Sequence, residues 1–493
     1  MVLGLTGEIK LLARHSVVYS LGNFMQRIVA LLLLPVYTRF LTPHDYGVKE
    51  LVGLSADVIG ILLATSISGA FYRFYFKYSS SKDRNEVVST ALVTIGSFGL
   101  VVIVLLALTT HNLAELILDD PSLYYFFVIA FASLWFQSLN SLSYDYLKAN
   151  KKSFTFICLS FGKMLLSIAL NIYFVCFLRV GVVGILISNL ITVFVMSLVV
   201  TVPLLFHVGI RFSSSKLVEM LKFGLPLIPS QFGAFIVHLS DRFFLKEYSS
   251  IADAGIYSLG YRFGALPGHF ISDPFNQIFQ PRRLEVYKQE DSEYVFGRIF
   301  TYFLTLMLFA GLMVSVLTRD LLIIMADRQF WAAYQVVPLI VLATTIFSFH
   351  YHLNMGLYIS KKTKYLAYIN LSNGVIVLIL NFALIPQYGI FGAAWATIFA
   401  FIYKSCLTYY FSSKFYRIHF EFLRVLKLIA VAVVVYFLCQ VIQFQTIYLS
   451  LLAKMLLIML SYPAGLFGVN FFSTQEKEKI FFSIRNRTLA GWI

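Results

Sequence analysis

Polar and charged side chains recur at helical spacing inside segments that are otherwise apolar. The first of these segments carries a stripe at intervals of three and four residues: Ser16, Ser20, Asn23 and Arg27. This spacing places the stripe on one face of a helix. Polar groups inside a membrane span are costly and usually face away from lipid. Several helices with one stripe each therefore predict a hydrated chamber inside a helical bundle.

The residues that could act in such a chamber fall into two groups. The candidates for binding a substrate are Arg27, Asn23, Lys163, Arg262, His269, Gln137 and Asn140. The candidates for binding a coupling ion or forming a gate are Asp57, Asp241, Arg39, Asp45 and His238. An isolated Asn in a span also fits a hydrogen bond between helices. Asp57 fits either a counter-ion for a nearby cation or a proton or sodium site.

Three of these cations, Arg27, Lys163 and Arg262, lie deep in their predicted spans. At that depth an unpaired cation costs at least about 2.5 kcal/mol on insertion scales. Arg suits multidentate phosphate contacts, and Lys acts as a point charge. The three residues therefore favour an anionic ligand such as a lipid diphosphate. Arg242 lies nearer a span end, where we expect its charge to extend to the interface.

The elements that carry these residues are predicted to be membrane-spanning helices. The 493-residue chain is 59% hydrophobic and 13% charged, whereas soluble domains carry about 25% charged residues. Spans of roughly 20 residues divide it into about fourteen helices, and we expect the first to be retained rather than cleaved. The predicted fold class is all-α and polytopic. The span centres are Ile28, Ile61, Leu100, Ala132, Leu166, Val193, Phe232, Leu266, Leu306, Ala343, Ile376, Ile398, Val433 and Met459.

The formal net charge of +15 follows the predicted loops. If the N-terminus is cytoplasmic, the loops on that side carry basic clusters such as Lys151 with Lys152. The opposite loops, such as His111 to Ser122 and the IPQYG segment Ile385 to Gly389, are acidic or nearly uncharged. This asymmetry predicts that both termini are cytoplasmic, and it accounts for the basic surplus without nucleic-acid binding. The four cysteines fall in predicted spans and lack the spacing of a metal site or a disulfide framework.

Two halves of the chain resemble each other. The segment Asn150 to Asn171 resembles Ser360 to Asn381, and Gly181 to Ile191 resembles Gly389 to Phe399 at nearly the same offset. Because each repeat holds six spans, an even number, both halves enter the membrane from the same side and the repeat is parallel. The predicted organisation is a six-helix lobe over 1–212, a second six-helix lobe over 213–415, and two further helices with a cytoplasmic tail over 416–493.

The segment LTPHDYG, residues 41–47, interrupts the first apolar run. We expect Pro43 and Gly47 to form a turn, and Asp45 to cap a helix that begins just after it. Arg39 is then expected at the outer interface, where water or a headgroup can solvate it. The alternative is that Arg39, His44 and Asp45 form an outer gate.

The segment LPVYTRFLTPHDYG (Leu34 to Gly47) resembles the start of bacterial polysaccharide transporters of the O-antigen flippase type, and Leu380 to Thr397 resembles the same group. The resemblance implies the multidrug/oligosaccharidyl-lipid/polysaccharide exporter superfamily, with two six-helix lobes and alternating access. It implies an undecaprenyl-diphosphate-linked oligosaccharide as substrate in the bacterial cytoplasmic membrane. The implied partners are membrane lipids, a glycan polymerase and glycosyltransferases. Related flippases of a cell-wall precursor use cavity arginines on the first and eighth helices, to which Arg27 and Arg262 correspond.

Two other function classes stay open at this point: an ion-coupled exporter of drugs or small molecules, and a membrane enzyme such as a glycan polymerase. The longest outer connection, near Arg319 to Trp331, leaves no room for a folded catalytic unit. The chain also lacks the Gly-Lys-Thr pattern of a phosphate-binding loop. We therefore expect no enzyme activity and no cofactor, with energy supplied by protons, sodium ions, the membrane potential or product removal.

The cavity cations give the first testable prediction. We expect Arg27→Ala and Arg262→Ala to abolish glycan export while the protein remains in the membrane, because each change removes a phosphate contact. Arg262→Lys restores part of the activity if charge alone matters, and little if bidentate geometry matters. Surface glycan and membrane protein level are measured together, and normal glycan in both alanine variants would eliminate the cation hypothesis.

Overall fold

A computed structural model describes the chain at residue 29 and over residues 32–362, 364–442 and 444–478. In these residues the regular structure is helical, without strands. Nine of the helices found there are long and apolar enough to cross a membrane, or ten if the bent pair Arg328–Gln335 and Val337–Ile359 is one span. Each predicted span centre from Ile61 to Met459 lies in a helical segment, whereas Ile28 lies outside the described residues. The predicted fold class, all-α and polytopic, is confirmed.

The chain folds as two compact units. In the described residues, the first unit runs to Ser258 and also includes Met325–Phe330 and Asn370–Ala396. Its helices are α1 Leu34–Phe40, α2 Pro43–Lys77, α3 Ser81–Ala107, α4 Thr110–Leu118, α5 Tyr124–Ala149, α6 Ser153–Asn171, α7 Gly181–Met196, α8 Val202–Val208, α9 Ser214–Gly224, α10 Ile228–Leu239, α11 Asp241–Tyr248 and the first part of α12 Ile251–Gly264.

The second unit comprises Leu259–Ile324, Trp331–Ile369 and the described residues from Thr397 onward. Its helices are α13 Asp273–Tyr287, α14 Ser292–Met325, α15 Val337–Leu353, α16 Met355–Ile359, the two ends of α17 Lys364–Ser413, α18 Phe422–Val441 and α19 Ile447–Gly468. The units follow spatial packing, and the predicted lobe boundaries after residues 212 and 415 stay a prediction.

Helix α17 contains the segment IPQYG, which the sequence predicts as an outer loop. The loop takes the form of a kink at Gly389, whose φ of 51° and ψ of −128° are not helical. A positive φ is readily adopted by glycine because it lacks a Cβ atom. Pro386, three residues earlier, cannot donate a helical hydrogen bond. Two helical segments therefore follow one another with almost no connecting chain.

Each unit has its own apolar core. In the first unit, α2 packs on α3 and α5 through Phe71, Leu92 and Leu142. In the second unit, α14, α18 and α19 pack together through side chains that include Leu428 and Ile458. Lipid tails are as apolar as these side chains, so close van der Waals packing stabilises such contacts more than exclusion of water does.

The LTPHDYG segment begins helix α2 earlier than the sequence suggested. The N-cap is Thr42 and Pro43 is the first helical residue, a position that suits proline because its missing N–H needs no partner there. The backbone N–H of Asp45 donates to Thr42 Oγ1 at 3.1 Å, and the backbone N–H of Thr42 donates to Asp45 Oδ2 at 3.0 Å. This is a capping box, so the prediction that Asp45 caps a helix starting after it is wrong by one turn.

Gly47 lies inside α2 and not in a turn, so that part of the prediction is also wrong. A Cβ atom at Gly47 would collide with the backbone carbonyl of Ile251 at the start of α12. A Cβ atom at Gly255 would collide with the Pro43 carbonyl and come 2.8 Å from the Gly47 nitrogen. The two glycines therefore permit α2 and α12 to touch backbone to backbone within the first unit.

This contact predicts which glycine in α2 cannot be replaced. Gly47→Ala should destabilise the protein by about 1–3 kcal/mol, because the added methyl group overpacks the contact. Gly53→Ala is the matched control on the same helix, where nothing lies within 4 Å of the added Cβ. That control should be neutral or slightly stabilising. Thermal unfolding of both purified variants is the measurement, and equal midpoints would contradict the assignment.

Candidate functional site

Helices α2, α5 and α10 enclose an open cavity of about 450 Å³ in the first unit. We call it the polar cavity, because each of its three helices contributes polar side chains to the wall. Its volume lies within the range of roughly 300–1,000 Å³ that is typical of small-ligand pockets. The lining residues with polar side chains are Asp57 from α2, Gln137, Ser138 and Ser141 from α5, and Gln231 and His238 from α10.

The polar cavity lies at mid-helix depth. Asp57 is near the middle of the 35-residue helix α2, and Gln137 is near the middle of the 26-residue helix α5. With a rise of about 1.5 Å per residue, each lies roughly 20 Å from the nearer end of its helix. The hydrocarbon core of a bilayer is about 30 Å thick, so these groups are at the depth where an unsolvated polar group is most costly.

The walls combine hydrogen-bonding groups with apolar surface. The side chains of Asp57, Gln137, Ser141 and Gln231 are exposed to the cavity opening. Amides and hydroxyls can both donate and accept hydrogen bonds, whereas an ionised carboxylate only accepts. Ile61, Leu134 and Phe235 supply the apolar part of the wall. Such a surface can bind a polar ligand that also presents hydrocarbon faces, as a sugar ring does.

Asp57 is the acidic group of the cavity wall. No hydrogen bond or ion pair joins its carboxylate to another described residue. The part of the wall that the structure describes contains no Lys or Arg side chain. Asp57 can therefore stay ionised only with water, a bound cation or a residue outside the described range beside it. Of the predicted cavity cations, Lys163 and Arg262 are not among the described lining residues.

Asp241, a predicted gate residue, belongs to a buried ion pair. Its Oδ1 accepts a hydrogen bond from Arg242 Nη1 at 2.5 Å, and its Oδ2 accepts one from Tyr257 Oη at 2.8 Å. Arg242 also donates to the His238 carbonyl at 2.7 Å. With 4% of its surface exposed, Arg242 does not extend to the interface, and that expectation is wrong. The pair instead holds the backbone in place just after α10, the helix that forms one wall of the cavity.

Asn140 lies on a different face of α5 from Gln137. Its Nδ2 donates to the Val193 carbonyl at 2.8 Å, and its Oδ1 accepts from Ser197 Oγ and Thr201 Oγ1 at 2.9 and 3.0 Å. These bonds join α5 to the π-helical segment Ser197–Thr201, which follows α7. Asn140 therefore makes helix-to-helix contacts, the alternative that the sequence left open for an isolated Asn.

The remaining predicted residues lie apart from the polar cavity or outside the described part of the chain. Lys163 is half-buried on α6, a helix that contributes nothing to the cavity wall. Arg262 and His269 belong to the second unit, where His269 Nδ1 is 3.3 Å from Asp273 Oδ2. Arg39 is exposed in the last turn of α1. Arg27 and Asn23 lie outside the described residues.

The structure thus brings together three of the predicted site residues: Asp57, Gln137 and His238. Sequence reasoning missed Ser141, although its position four residues after Gln137 on α5 is a signal for a shared face. Sequence reasoning also missed Gln231 as a site residue, although it lies seven residues, or two helical turns, before His238 on the same helix. Asn140, three residues after Gln137, does not line the cavity.

The fold and the cavity together indicate a class of protein. A multi-pass helical membrane protein with an open polar cavity at mid-membrane depth has the architecture of a transporter. Residues 36–325 match the family model described as polysaccharide biosynthesis protein. The chain belongs to this family.

One curated relative and two solved structures resemble the chain. The chain is 24% identical over 285 residues to protein 1 of the Lsg locus of Haemophilus influenzae, covering 56% of this chain and 67% of the relative. Its fold resembles that of lipid II flippase MurJ in an inward closed conformation, with a TM-score of 0.74, 15% identity, and coverage of 91% of this chain and 98% of that one. An inward-facing multidrug resistance MATE family transporter of the MOP superfamily gives a TM-score of 0.61 at 13% identity, over 79% of this chain and 94% of that one.

The different surroundings of two aspartates give a testable prediction. Asp241→Ala should destabilise the protein by about 3–5 kcal/mol, because it leaves Arg242 buried without its counter-ion. Asp57→Ala should change stability by no more than about 0.5 kcal/mol, because it removes no contact among the described residues. Thermal unfolding of the two detergent-purified variants makes the comparison. A loss at Asp57 as large as that at Asp241 would show that Asp57 is a structural ion-pair partner.

Proposed function

We propose that this protein moves an undecaprenyl-diphosphate-linked oligosaccharide from the inner to the outer leaflet of the bacterial cytoplasmic membrane by alternating access, for surface polysaccharide biosynthesis. Membership of the polysaccharide biosynthesis family supports the substrate class. The observation that carries the proposal is the polar cavity, whose amide, hydroxyl and carboxylate groups at mid-membrane depth suit a glycan better than a purely apolar solute.

The diphosphate requires positive charge that the described wall of the cavity does not supply. Arg27, Lys163 and Arg262 are the proposed contacts, since Arg binds phosphate with two parallel hydrogen bonds and Lys with a point charge. In this proposal the sugars contact Gln137, Ser141 and Gln231, and the cations hold the diphosphate. The two parts of the substrate are then recognised by different sets of residues.

Asp57 is the proposed coupling site, for a proton or a sodium ion. A carboxylate that no described residue pairs with, open to a cavity, can bind a cation when the cavity faces one side and release it when the cavity faces the other. His238, on the α10 wall of the same cavity, is the proposed second residue of the coupling site. Transport coupled in this way needs no cofactor and no enzyme activity.

The basic loops support a topology with both termini in the cytoplasm. The proposed neighbours there are the glycosyltransferases that build the lipid-linked unit, and a glycan polymerase is the proposed recipient on the opposite side. A second candidate function is ion-coupled export of a small molecule. The size of the cavity, about 450 Å³, favours it, because this volume also suits a drug-sized ligand.

Reconstituted transport tests both the substrate and the coupling. Liposomes containing the purified protein should flip a fluorescent polyprenyl-diphosphate oligosaccharide, and an imposed proton or sodium gradient should accelerate flipping. Asp57→Asn should lose at least about tenfold of the gradient-driven rate, since it removes the charge that binds the ion. The control is Glu115→Gln, which changes an exposed carboxylate of the same unit that makes no hydrogen bond or ion pair with the described residues.

The outcomes separate the candidate functions. Transport of a cationic drug without flipping of the lipid-linked glycan would favour the small-molecule exporter. Polymerisation of the sugars by the purified protein would favour an enzyme. Gradient-driven flipping that is unchanged in Asp57→Asn would move the coupling site elsewhere while leaving the flippase proposal intact.

A further inference from the structure

Two adjoining spaces in the second unit share part of their lining, and together we call them the amphipathic groove. The larger space, about 500 Å³, lies between α14, α15 and α18 and is lined almost entirely by apolar side chains such as Leu308, Leu342 and Val433. The smaller space, about 140 Å³, is lined by polar and apolar side chains in similar proportion, and we call it the polar space. Ser315, Pro338 and Tyr436 line both spaces. The other residues lining the polar space are Val316, Arg319, Tyr334, Gln335, Cys439, Gln440 and Lys454.

The polar end of the amphipathic groove lies near helix ends. Arg319 is six residues before the C-terminal end of α14, which places it roughly 9 Å from that end. Gln440 is next to the last residue of α18. Tyr334 and Tyr436 flank this end, as is typical of residues at a membrane interface. The polar space is therefore at headgroup level.

The apolar end has the length of one leaflet. Along α14 it extends from Leu304 to Ser315, roughly 17 Å at helical rise. Half of a bilayer hydrocarbon core is about 15 Å thick. A single acyl chain of one leaflet matches this length, whereas a polyprenyl chain is considerably longer.

The charges at the polar end leave a surplus of one cation. Lys454 Nζ donates to Asp320 Oδ2 at 2.8 Å, and Ser450 Oγ donates to the same oxygen at 3.2 Å. Lys454 and Asp320 are both buried, so this pair is neutral overall. Arg319 is exposed, with its guanidinium 5.8 Å from the Tyr334 ring, and no described carboxylate pairs with it. One positive charge therefore faces the polar space.

We propose that the amphipathic groove binds one anionic glycerophospholipid, with its phosphate diester at Arg319, beside the Lys454–Asp320 pair, and one acyl chain between α14, α15 and α18. A phosphate diester carries a single negative charge, which matches the surplus cation, whereas a diphosphate carries more. Gln335 and Gln440 can donate hydrogen bonds to the remaining headgroup oxygens. The site belongs to the second unit and does not depend on the identity of the transported substrate.

Photolabelling tests where the lipid binds. The purified full-length protein in detergent is mixed with phosphatidylglycerol that carries a diazirine on its acyl chain, and labelled peptides are identified by mass spectrometry. Labelling should concentrate on Leu304–Ser315, on α15 and on α18. Unlabelled phosphatidylglycerol should compete, and phosphatidylcholine should compete poorly.

Two pairs of matched variants test how it binds. Arg319→Gln should weaken phosphatidylglycerol binding about tenfold in a native mass spectrometry titration, since it removes a charge-assisted contact. Arg298→Gln is the control, an exposed arginine near the other end of the same helix. Leu342→Trp should block labelling by filling the groove. Leu306→Trp, an exposed position on α14 outside the groove lining, should not.

Three results would overturn the proposal. Labelling spread evenly over lipid-facing helices, and unchanged in the variants, would mean a nonspecific lipid annulus. Competition by a polyprenyl diphosphate but not by phosphatidylglycerol would assign the groove to the transported substrate. Equal weakening by Arg298→Gln and Arg319→Gln would remove the headgroup site.

Discussion

The cost of placing charge in hydrocarbon is the constraint on which the described structure depends. An ion in the membrane interior must be paired, hydrogen-bonded or in contact with water. Asp241 with Arg242 in the first unit and Asp320 with Lys454 in the second meet this condition by burial against each other. Each pair is joined by additional hydrogen bonds from Tyr257 or a serine, which is what a buried ion pair requires.

Asp57 meets the same constraint in a different way. It lies at a depth where a lone carboxylate is costly, and no described residue pairs with it, but it opens into the polar cavity. An ionised Asp57 therefore needs water in that cavity, because without water the carboxylate would have to be protonated or bound to a cation. The same water can be exchanged for sugar hydroxyls, which hydrogen-bond in a similar manner.

The described wall of the polar cavity contains one carboxylate, Asp57, and no Lys or Arg side chain. Binding of the sugars and binding of the diphosphate, which the sequence assigned to one chamber, therefore need different residues. A diphosphate needs cations, and Arg262 belongs to the second unit while Lys163 lies on a helix that does not line the cavity. A carboxylate beside a bound diphosphate would repel it. In the proposed function, separate regions for sugar and for diphosphate remove this conflict and leave Asp57 available to bind a cation.

Hydrophobic runs predicted the positions of the helices because any span must be apolar over about 20 residues. The same pattern could not show why Gly47 is glycine, since the reason is the Ile251 carbonyl, more than 200 positions away in the chain. Helical spacing found Gln137 but grouped it with Asn140, because polarity alone does not tell a cavity from a helix contact. The partner of Lys454, Asp320, likewise lies on another helix.

Solvent reactivity of cysteines on α5 and α10 tests the central claim most directly. In a chain without its four native cysteines, Gln137→Cys and Gln231→Cys should react with a membrane-impermeant maleimide in cells or in inverted vesicles. Asn140→Cys, buried on the same helix as Gln137, should not react. If Gln137→Cys and Gln231→Cys are as unreactive as Asn140→Cys from both sides, the cavity is dry and the account is wrong.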